Sequence, residues 1–292
     1  MSLVVKNVNK SFGTKKVVDN LSFELNKPGV FGLLGTNGAG KTTSIRMILG
    51  IIKKDYGEIS FNGKSVTRKN VNFGYLPEER GLYPKSKIYD QLMYFANLKG
   101  MSKVDGDKAI RYWLDKLKVS EYINYTAEKL SKGNQQKIQF ITAVLHNPDL
   151  IVLDEPFSGL DPVNTEILSN VMKELISEGK YIIMSSHQMN SVEEFCTDLI
   201  ILNRGKTVLK GNLKDIKSSY NSSKVLVETD DNIDSIIKKL KLNILSSNDG
   251  VYIIENSNKD LLKELCDNNI NVSKYEIVKP SLHEIFIEKV GE

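Results

Sequence analysis

The sequence is poor in cysteine. It has two, Cys196 and Cys266, far apart and in no metal-ligand spacing. A disulfide framework is therefore not expected, and the usage fits a reducing compartment. Long apolar runs are also missing. No stretch of about 18 consecutive apolar residues occurs, so no segment is expected to span a membrane. The start, Met1-Ser2-Leu3-Val4-Val5-Lys6, lacks the pattern of a signal peptide. Any membrane role is expected to come through a separate polypeptide. A dominant charge sign is absent too: 40 basic residues face 36 acidic ones, for a net charge of +4. That balance argues against a dedicated nucleic-acid binder. A mild basic excess suits a membrane-adjacent surface. The 292 residues allow one ordinary domain plus a small appendage, with a substantial core.

What is present centres on Gly35-Thr36-Asn37-Gly38-Ala39-Gly40-Lys41-Thr42. An apolar strand, Val30–Leu34, precedes it, and a helical pattern, Thr43–Leu49, follows. Strand, glycine-rich loop and helix in that order, with G-x-x-x-x-G-K-[ST] in the loop, form a P-loop. Backbone N–H groups can then point inward around phosphate oxygens, and glycine lets the backbone approach them. The helix N-terminus adds partial positive charge. Lys41 can reach the β- and γ-phosphates, and the Thr42 hydroxyl can ligate Mg²⁺.

Short strands are expected upstream at Leu3–Val8, Lys16–Val18 and Leu21–Leu25. Phe12 falls in a turn between the first two. It could stack on an adenine ring or plug the end of the sheet. Gly50 is expected to cap the helix after the P-loop. Gly57–Phe61 reads as a strand ended by the hairpin signal Asn62-Gly63. Val71–Leu76 reads as another, running into the loop Pro77–Pro84. Residues 86–118 are expected to be helical, with Ile88, Leu92, Phe95 and Leu98 on one packed face. Ile110, Leu114 and Leu117 form another. Ser131 is a plausible N-cap for a helix running to Leu145. Gly133 and the paired glutamines beside it form a second surface able to meet phosphate.

Leu150–Asp154 reads as a buried parallel strand ending in two carboxylates, Asp154 and Glu155. Such an end suits Mg²⁺ binding and water activation. Tyr181–Ser186 is a second buried strand with His187 at its end. A lone histidine is usually structural, but open α/β sheets bind ligands at this edge. A short helix closing at Glu193–Cys196 and a hairpin about Asn203-Arg204-Gly205 follow. The polar run Ser218–Ser223 marks a domain boundary. Beyond it the order strand, helix, strand, strand, helix, strand is the ferredoxin-like pattern, followed by a helix at Ser281–Val290. No reactive cluster appears there.

Five elements thus stand in fixed order: the P-loop, the Pro77–Pro84 loop, Leu130–Gln136, the Asp154-Glu155 strand end and His187. In this, residues 1 to about 215 resemble the ATP-binding subunit of ABC transporters. Gly35–Thr42 resembles Walker A and Leu150–Asp154 resembles Walker B, with Glu155 in the place of the catalytic glutamate. Leu130–Gln136 is similar to the signature L-S-G-G-Q, with Lys132 for the first glycine and Asn134 read as an insertion. Ser158–Asp161 resembles the D-loop, His187 the switch histidine and Phe12 the A-loop aromatic. Glu78 stands where the family usually has the Q-loop glutamine. Tyr75–Tyr83 resembles a subgroup serving exporters of sodium or drugs. Members of that subgroup end in a helix similar to Pro280-Ser281-Leu282-His283-Glu284-Ile285-Phe286.

The resemblance implies an α/β fold. Its ABC ATPase core, residues 1–217, would carry an antiparallel β subdomain and a helical subdomain at about 85–146. A small α+β ferredoxin-like domain, 218–292, would follow and regulate or brace the assembly. The implied cofactors are ATP and Mg²⁺. ATP would meet Phe12, Asn37, Gly38, Ala39, Gly40, Lys41, Thr42 and Thr43, with Ser131, Gly133 and Gln135. Mg²⁺ would meet Thr42, Asp154 and Glu78. Glu155, His187 and Lys41 would be catalytic. The implied partners are an integral membrane permease subunit and a second ATPase subunit, the same chain or a sister, with no nucleic acid. The chain would then sit peripherally at the cytoplasmic face of the membrane. A soluble ABC ATPase acting on ribosomes or DNA is the alternative. Translation-type members usually carry two cassettes, and repair-type members a long coiled-coil insertion; neither is present. A catalytically dead binder conflicts with intact Lys41, Asp154, Glu155 and His187.

Overall fold

The computed structural model describes residues 2–67, 69–79, 81–220, 224–255 and 260–291. Arg80 of the Pro77–Pro84 loop, Asn221–Ser223 of the expected linker and Lys259, expected to open the second helix of the ferredoxin-like pattern at Lys259–Asn268, lie outside the described residues. The chain divides into two compact units, residues 1–213 with 289–292, and residues 214–288.

The first unit opens with β1 (Leu3–Phe12), β2 (Lys15–Leu25), β3 (Gly29–Gly35), α1 (Lys41–Ile48), β4 (Tyr56–Phe61), β5 (Lys64–Ser65) and β6 (Phe73–Leu76). The helices α2 (Ile88–Leu98), α3 (Lys103–Lys116) and α4 (Lys132–Val144) follow. Then come β7 (Leu150–Asp154), α5 (Pro162–Ser177), β8 (Tyr181–Ser185), α6 (Met189–Phe195), β9 (Cys196–Asn203) and β10 (Lys206–Asn212).

Two sheets result. One is antiparallel, in the order β2-β1-β4-β5; the other runs β10-β9-β3-β8-β7-β6. In the second, β9, β3, β8, β7 and β6 are mutually parallel and only β10 runs against them. β3, β7 and β8 are buried along their whole length. Strands covered on both faces need apolar residues at every position, which is why these read as continuous apolar runs. Because they run the same way, the C-terminal ends of β3, β6, β7 and β8 fall on one edge. Open α/β sheets bind their ligands at that edge. The two sheets share a core: Phe23 of β2 stacks on Phe31 of β3, with ring centroids 4.3 Å apart. Truncating such a ring to alanine costs about 3–5 kcal/mol.

Four local expectations are corrected. β2 is continuous from Lys15 to Leu25. Asn20 takes φ of 55° and its N–H reaches Asn9 Oδ1 at 3.0 Å, so the strand is bent but not ended. The 86–118 helix is two helices, parted at Gly100, whose φ is 78°. Ser102 restarts the helix by accepting a bond from Asp105 N at 3.1 Å. Leu98 is 64 % exposed and so leaves the expected packed face, while Ile88 and Leu92 are fully buried. Ser218 and Ser219 close a helix, α7 (Leu213–Ser219), where a linker was expected.

The second unit continues with β11 (Lys224–Thr229), α8 (Asp234–Leu240), β12 (Asn243–Asn248), β13 (Val251–Glu255), α9 (Leu261–Asp267) and β14 (Val272–Val278). The last helix is α10 (Leu282–Gly291). The antiparallel order β12-β13-β11-β14 is the ferredoxin-like arrangement. Val225, Val227 and Ile254 of the sheet form a core with Ile236 and Ile237 of α8 and Leu261 and Leu265 of α9.

Candidate active site

The site is built on strand ends. β3 delivers the loop 35–40, and α1 begins at Lys41. Gly40 takes φ of 104°, and a Cβ there would lie 2.6 Å from Val17 O. Only glycine fits both demands. Gly40 gives α1 no side-chain cap, and no acidic residue stands in the first turn. The partial positive charge at this terminus is therefore left unneutralised by the helix itself. Asn37 and Gly38 are exposed on the loop crest, while Ala39 is buried. Ala39 N–H closes a turn on Thr36 O at 3.1 Å, and its carbonyl accepts Gly205 N–H at 3.0 Å. The β9–β10 turn thus braces the loop from behind. Lys41 is buried, and its Nζ donates to Gly35 O at 2.8 Å and Thr36 O at 3.2 Å. The ammonium is folded into the concavity of the loop. Thr43 is half-buried beside Thr42.

β7 delivers the carboxylates. Asp154 is 1 % exposed and pairs in register with Ser185 of β8. It accepts a hydrogen bond from Ser185 Oγ on one oxygen and from Thr42 Oγ1, at 3.1 Å, on the other. One carboxylate and one hydroxyl therefore meet beside the phosphate-type loop. Mg²⁺ is commonly held that way, with substrate phosphates and waters completing its shell. Among the described residues no cluster of three or more His, Cys, Asp or Glu could cage a metal without substrate.

Glu155 leaves the strand in the left-handed region, with φ of 54°. A non-glycine residue there is uncommon and costs energy. Its N–H is held by Ser185 O at 3.1 Å. Its carboxylate is almost fully buried, with Oε1 2.8 Å from His187 Nδ1. Its Oε2 lies 3.4 Å from Ser186 Oγ, a weak contact. His187 is 60 % exposed, so the imidazole links a buried carboxylate to the open edge.

α4 approaches this edge from the helical part of the unit. Gln136 Nε2 donates to Pro156 O at 3.1 Å and, more weakly, to Glu155 O at 3.4 Å. Ser131 caps α4 by accepting from Asn134 N at 3.2 Å. Gly133 is buried, and a Cβ on it would lie 3.3 Å from Asn164 Nδ2 and 3.6 Å from Leu160 Cδ2. Gln135 is used differently from expectation. Its Nε2 donates to Ala127 O at 2.9 Å and Leu130 O at 3.2 Å, so it braces the turn ahead of α4.

Glu78 is exposed in the loop after β6. The neighbouring Tyr75 phenol is pushed up by burial and by the Asp154 charge, with a smaller contribution from Glu78. Both acids are thus felt by one side chain. Phe12 is 51 % exposed at the end of β1, with Lys10 Nζ 5.2 Å from its ring centroid.

The family described as ABC transporter matches residues 18–158. That described as the ATP-binding protein DrrA1-3-like C-terminal domain matches residues 211–290. The uncharacterised ABC transporter ATP-binding protein YhaQ of Bacillus subtilis (strain 168) is 46 % identical, over 99 % of this chain and 98 % of that protein. The chain is an ABC transporter ATP-binding subunit. It is an ATPase. The linearmycin resistance ATP-binding protein LnrL of the same organism is 28 % identical over 99 % of this chain and 98 % of its own length. A solved ATP-binding subunit of an ABC transporter is 30 % identical with a TM-score of 0.69, covering 75 % of this chain and 93 % of that one.

Sequence reading of this ABC subunit gave no role to Ser185 and Ser186. The signal for the serines is their place at the end of a buried parallel strand beside the one carrying the carboxylates. Gln136, read with Gln135 as part of a phosphate-meeting surface, instead holds the backbone at Glu155 and Pro156.

Proposed function

We propose that this ATPase works as one of two head-to-tail subunits that power export through a separately encoded membrane permease. The cargo class is ions, drugs or peptides. The observation that carries the reading is the pair of contacts at adjacent strand ends, Thr42–Asp154 at 3.1 Å and Glu155–His187 at 2.8 Å. Both stand at the edge where the β3 loop gathers its amides and Lys41. The export direction rests on similarity to a drug-resistance ATP-binding protein and on the DrrA1-3-like C-terminal match.

In this reading Lys41 turns from the loop carbonyls to the β- and γ-phosphates, and the loop amides hold the phosphate oxygens. Thr42 and Asp154 would hold Mg²⁺, with Glu78 in the adjacent loop. When bound, the metal neutralises charge on the phosphate oxygens. Glu155 orients and polarises the attacking water, and its buried carboxylate accepts the proton. His187 contacts the γ-phosphate and reports its loss to Glu155. Asn37, Gly38, Ala39, Gly40 and Thr43 line the phosphate side, and Phe12 stacks on the base.

Ser131 and Gly133 of the opposite subunit complete each site. α1 and α4 each start without an acidic residue in the first turn. Two such termini suit one nucleotide when each comes from a different chain. Residues 218–292 regulate or brace the pair.

Co-purification from membranes tests the reading. Recovery of an integral membrane protein with Mg²⁺-dependent ATP hydrolysis supports it. Recovery of ribosomes or DNA in its place would favour the soluble alternative.

A further inference from the structure

We propose that Gln139 is a positioning residue. It fixes Pro77, Glu79 and Gly81 of the loop after β6, and with them Glu78, to the same helix that holds the catalytic strand end. The inference rests on the site assignment above and adds a coupling element to it.

Gln139 is 3 % exposed on α4. Its Nε2 donates to Pro77 O at 3.1 Å and Glu79 O at 3.0 Å. Its Oε1 accepts Gly81 N–H at 3.3 Å. Both donor hydrogens of the amide are thereby engaged. The two carbonyls flank Glu78, so the backbone is pinned on each side of that acid while its side chain stays exposed.

Gln136 lies one turn earlier and grips Glu155 O and Pro156 O. Residues at i and i+3 share a helix face. One face of α4 therefore holds the loops that follow β6 and β7. The helix also packs closely on β6. A Cβ on Gly74 of β6 would lie 1.8 Å from Ala143 O of α4, so the two backbones are in direct contact. A second buried glutamine, Gln91 of α2, fastens the far end of the loop. Its Oε1 accepts Tyr83 N–H at 2.8 Å, and its Nε2 donates to Tyr83 O at 3.0 Å and Ser86 O at 2.8 Å.

The consequence is mechanical. A displacement of α4, whose first residues face the partner's nucleotide in the proposed pair, carries both loops together. Binding in one site is thereby transmitted to Glu78 and to the Glu155 peptide of the other.

The test uses the full-length protein with Gln139→Met, which keeps volume and removes the three bonds. Gln139→Glu is the second variant; it keeps the acceptor for Gly81 and sets a carboxylate oxygen against two carbonyls. Both should lower kcat about ten- to a hundredfold, as small misplacements do, with KM for ATP within about twofold. Hydrogen exchange should quicken in a peptide spanning 77–86 and stay unchanged in one spanning 150–158. A kcat within about twofold of the parent in both variants overturns the proposal. So does a loss of protection spread over the whole first unit, which is a general folding defect. If Glu155→Gln keeps full turnover while Gln139→Met loses it, the Glu155 assignment fails and the Gln139 tie stands.

Discussion

Glu155 and His187 end adjacent parallel strands and meet at 2.8 Å, one almost fully buried and the other 60 % exposed. This contact occupies Nδ1 of His187. Nε2 is then the ring atom left to face a ligand. His187→Ala should therefore slow ATP hydrolysis about a hundredfold, the loss expected when one group placed against the reacting phosphate is removed. ATP affinity should change little. Equilibrium binding of a fluorescent ATP analogue beside steady-state turnover separates the two. Equal loss of both would assign His187 to binding alone.

Glu78 places a carboxylate in the loop that follows β6. The charge is tolerated at an exposed loop position that Mg²⁺ and solvent can reach. Glu78→Gln should keep ATPase activity within about tenfold. Steady-state rates at saturating Mg²⁺ and ATP check this. Complete loss would make this carboxylate itself catalytic and force a revision of the Glu155 role.

A shared site makes a prediction for mixtures. Lys41→Ala should disable the site on its own loop. Gly133→Asp should disable the site on the partner's loop, by placing negative charge beside the γ-phosphate. Asn164 must yield slightly to any side chain at Gly133, so Gly133→Ala serves as the packing control. Mixed dimers collect both lesions in one site and leave the other intact. Activity plotted against mixing ratio should peak near equal proportions. A flat baseline, with the mixed dimer demonstrated by crosslinking, counts against independently active shared sites.

His146 gives a pH dependence of stability unconnected with the chemistry. Its Nε2 bonds Phe73 O at 3.0 Å, and burial with the nearby Lys99 charge lowers its pKa to about 4. The unfolded value is about 6.5. Between these two values the unfolded chain binds a proton that the folded chain does not, so stability falls as pH falls through that window. His146→Phe should reduce the slope of unfolding free energy against pH by about one proton there. Urea unfolding at several pH values reads it. An unchanged slope would mean that the ring protonates in the folded state.

The core of the site is legible in the sequence because its chemistry forces residue types. Asp154 and Glu155 stand at the end of an apolar run that reads as a buried strand, and Lys41 and Thr42 follow the glycine-rich loop that leaves another, so the runs announce the edge. The supporting groups are not legible. Ser185 reaches Asp154 through strand register, which no local pattern encodes. Gln139 sits between Ile138 and Phe140 on a helix, where its contacts with a loop some sixty residues earlier leave no trace. Gln135 is the converse case. It stands beside the residues that matter, yet its amide braces the preceding turn. In the fold, the breaks at Asn20 and Gly100 were misjudged for one reason. A single residue at positive φ ends one element and merely bends another, and tertiary pairing decides which.

The most direct test of the account is Glu155→Gln in the full-length protein, which keeps size and removes the proton acceptor. ATP hydrolysis should fall about 10²–10⁴-fold while ATP still binds. Trapping of bound, uncleaved ATP on the variant would show both at once. Turnover at the parental rate would contradict the assignment of Glu155 as the group that activates water.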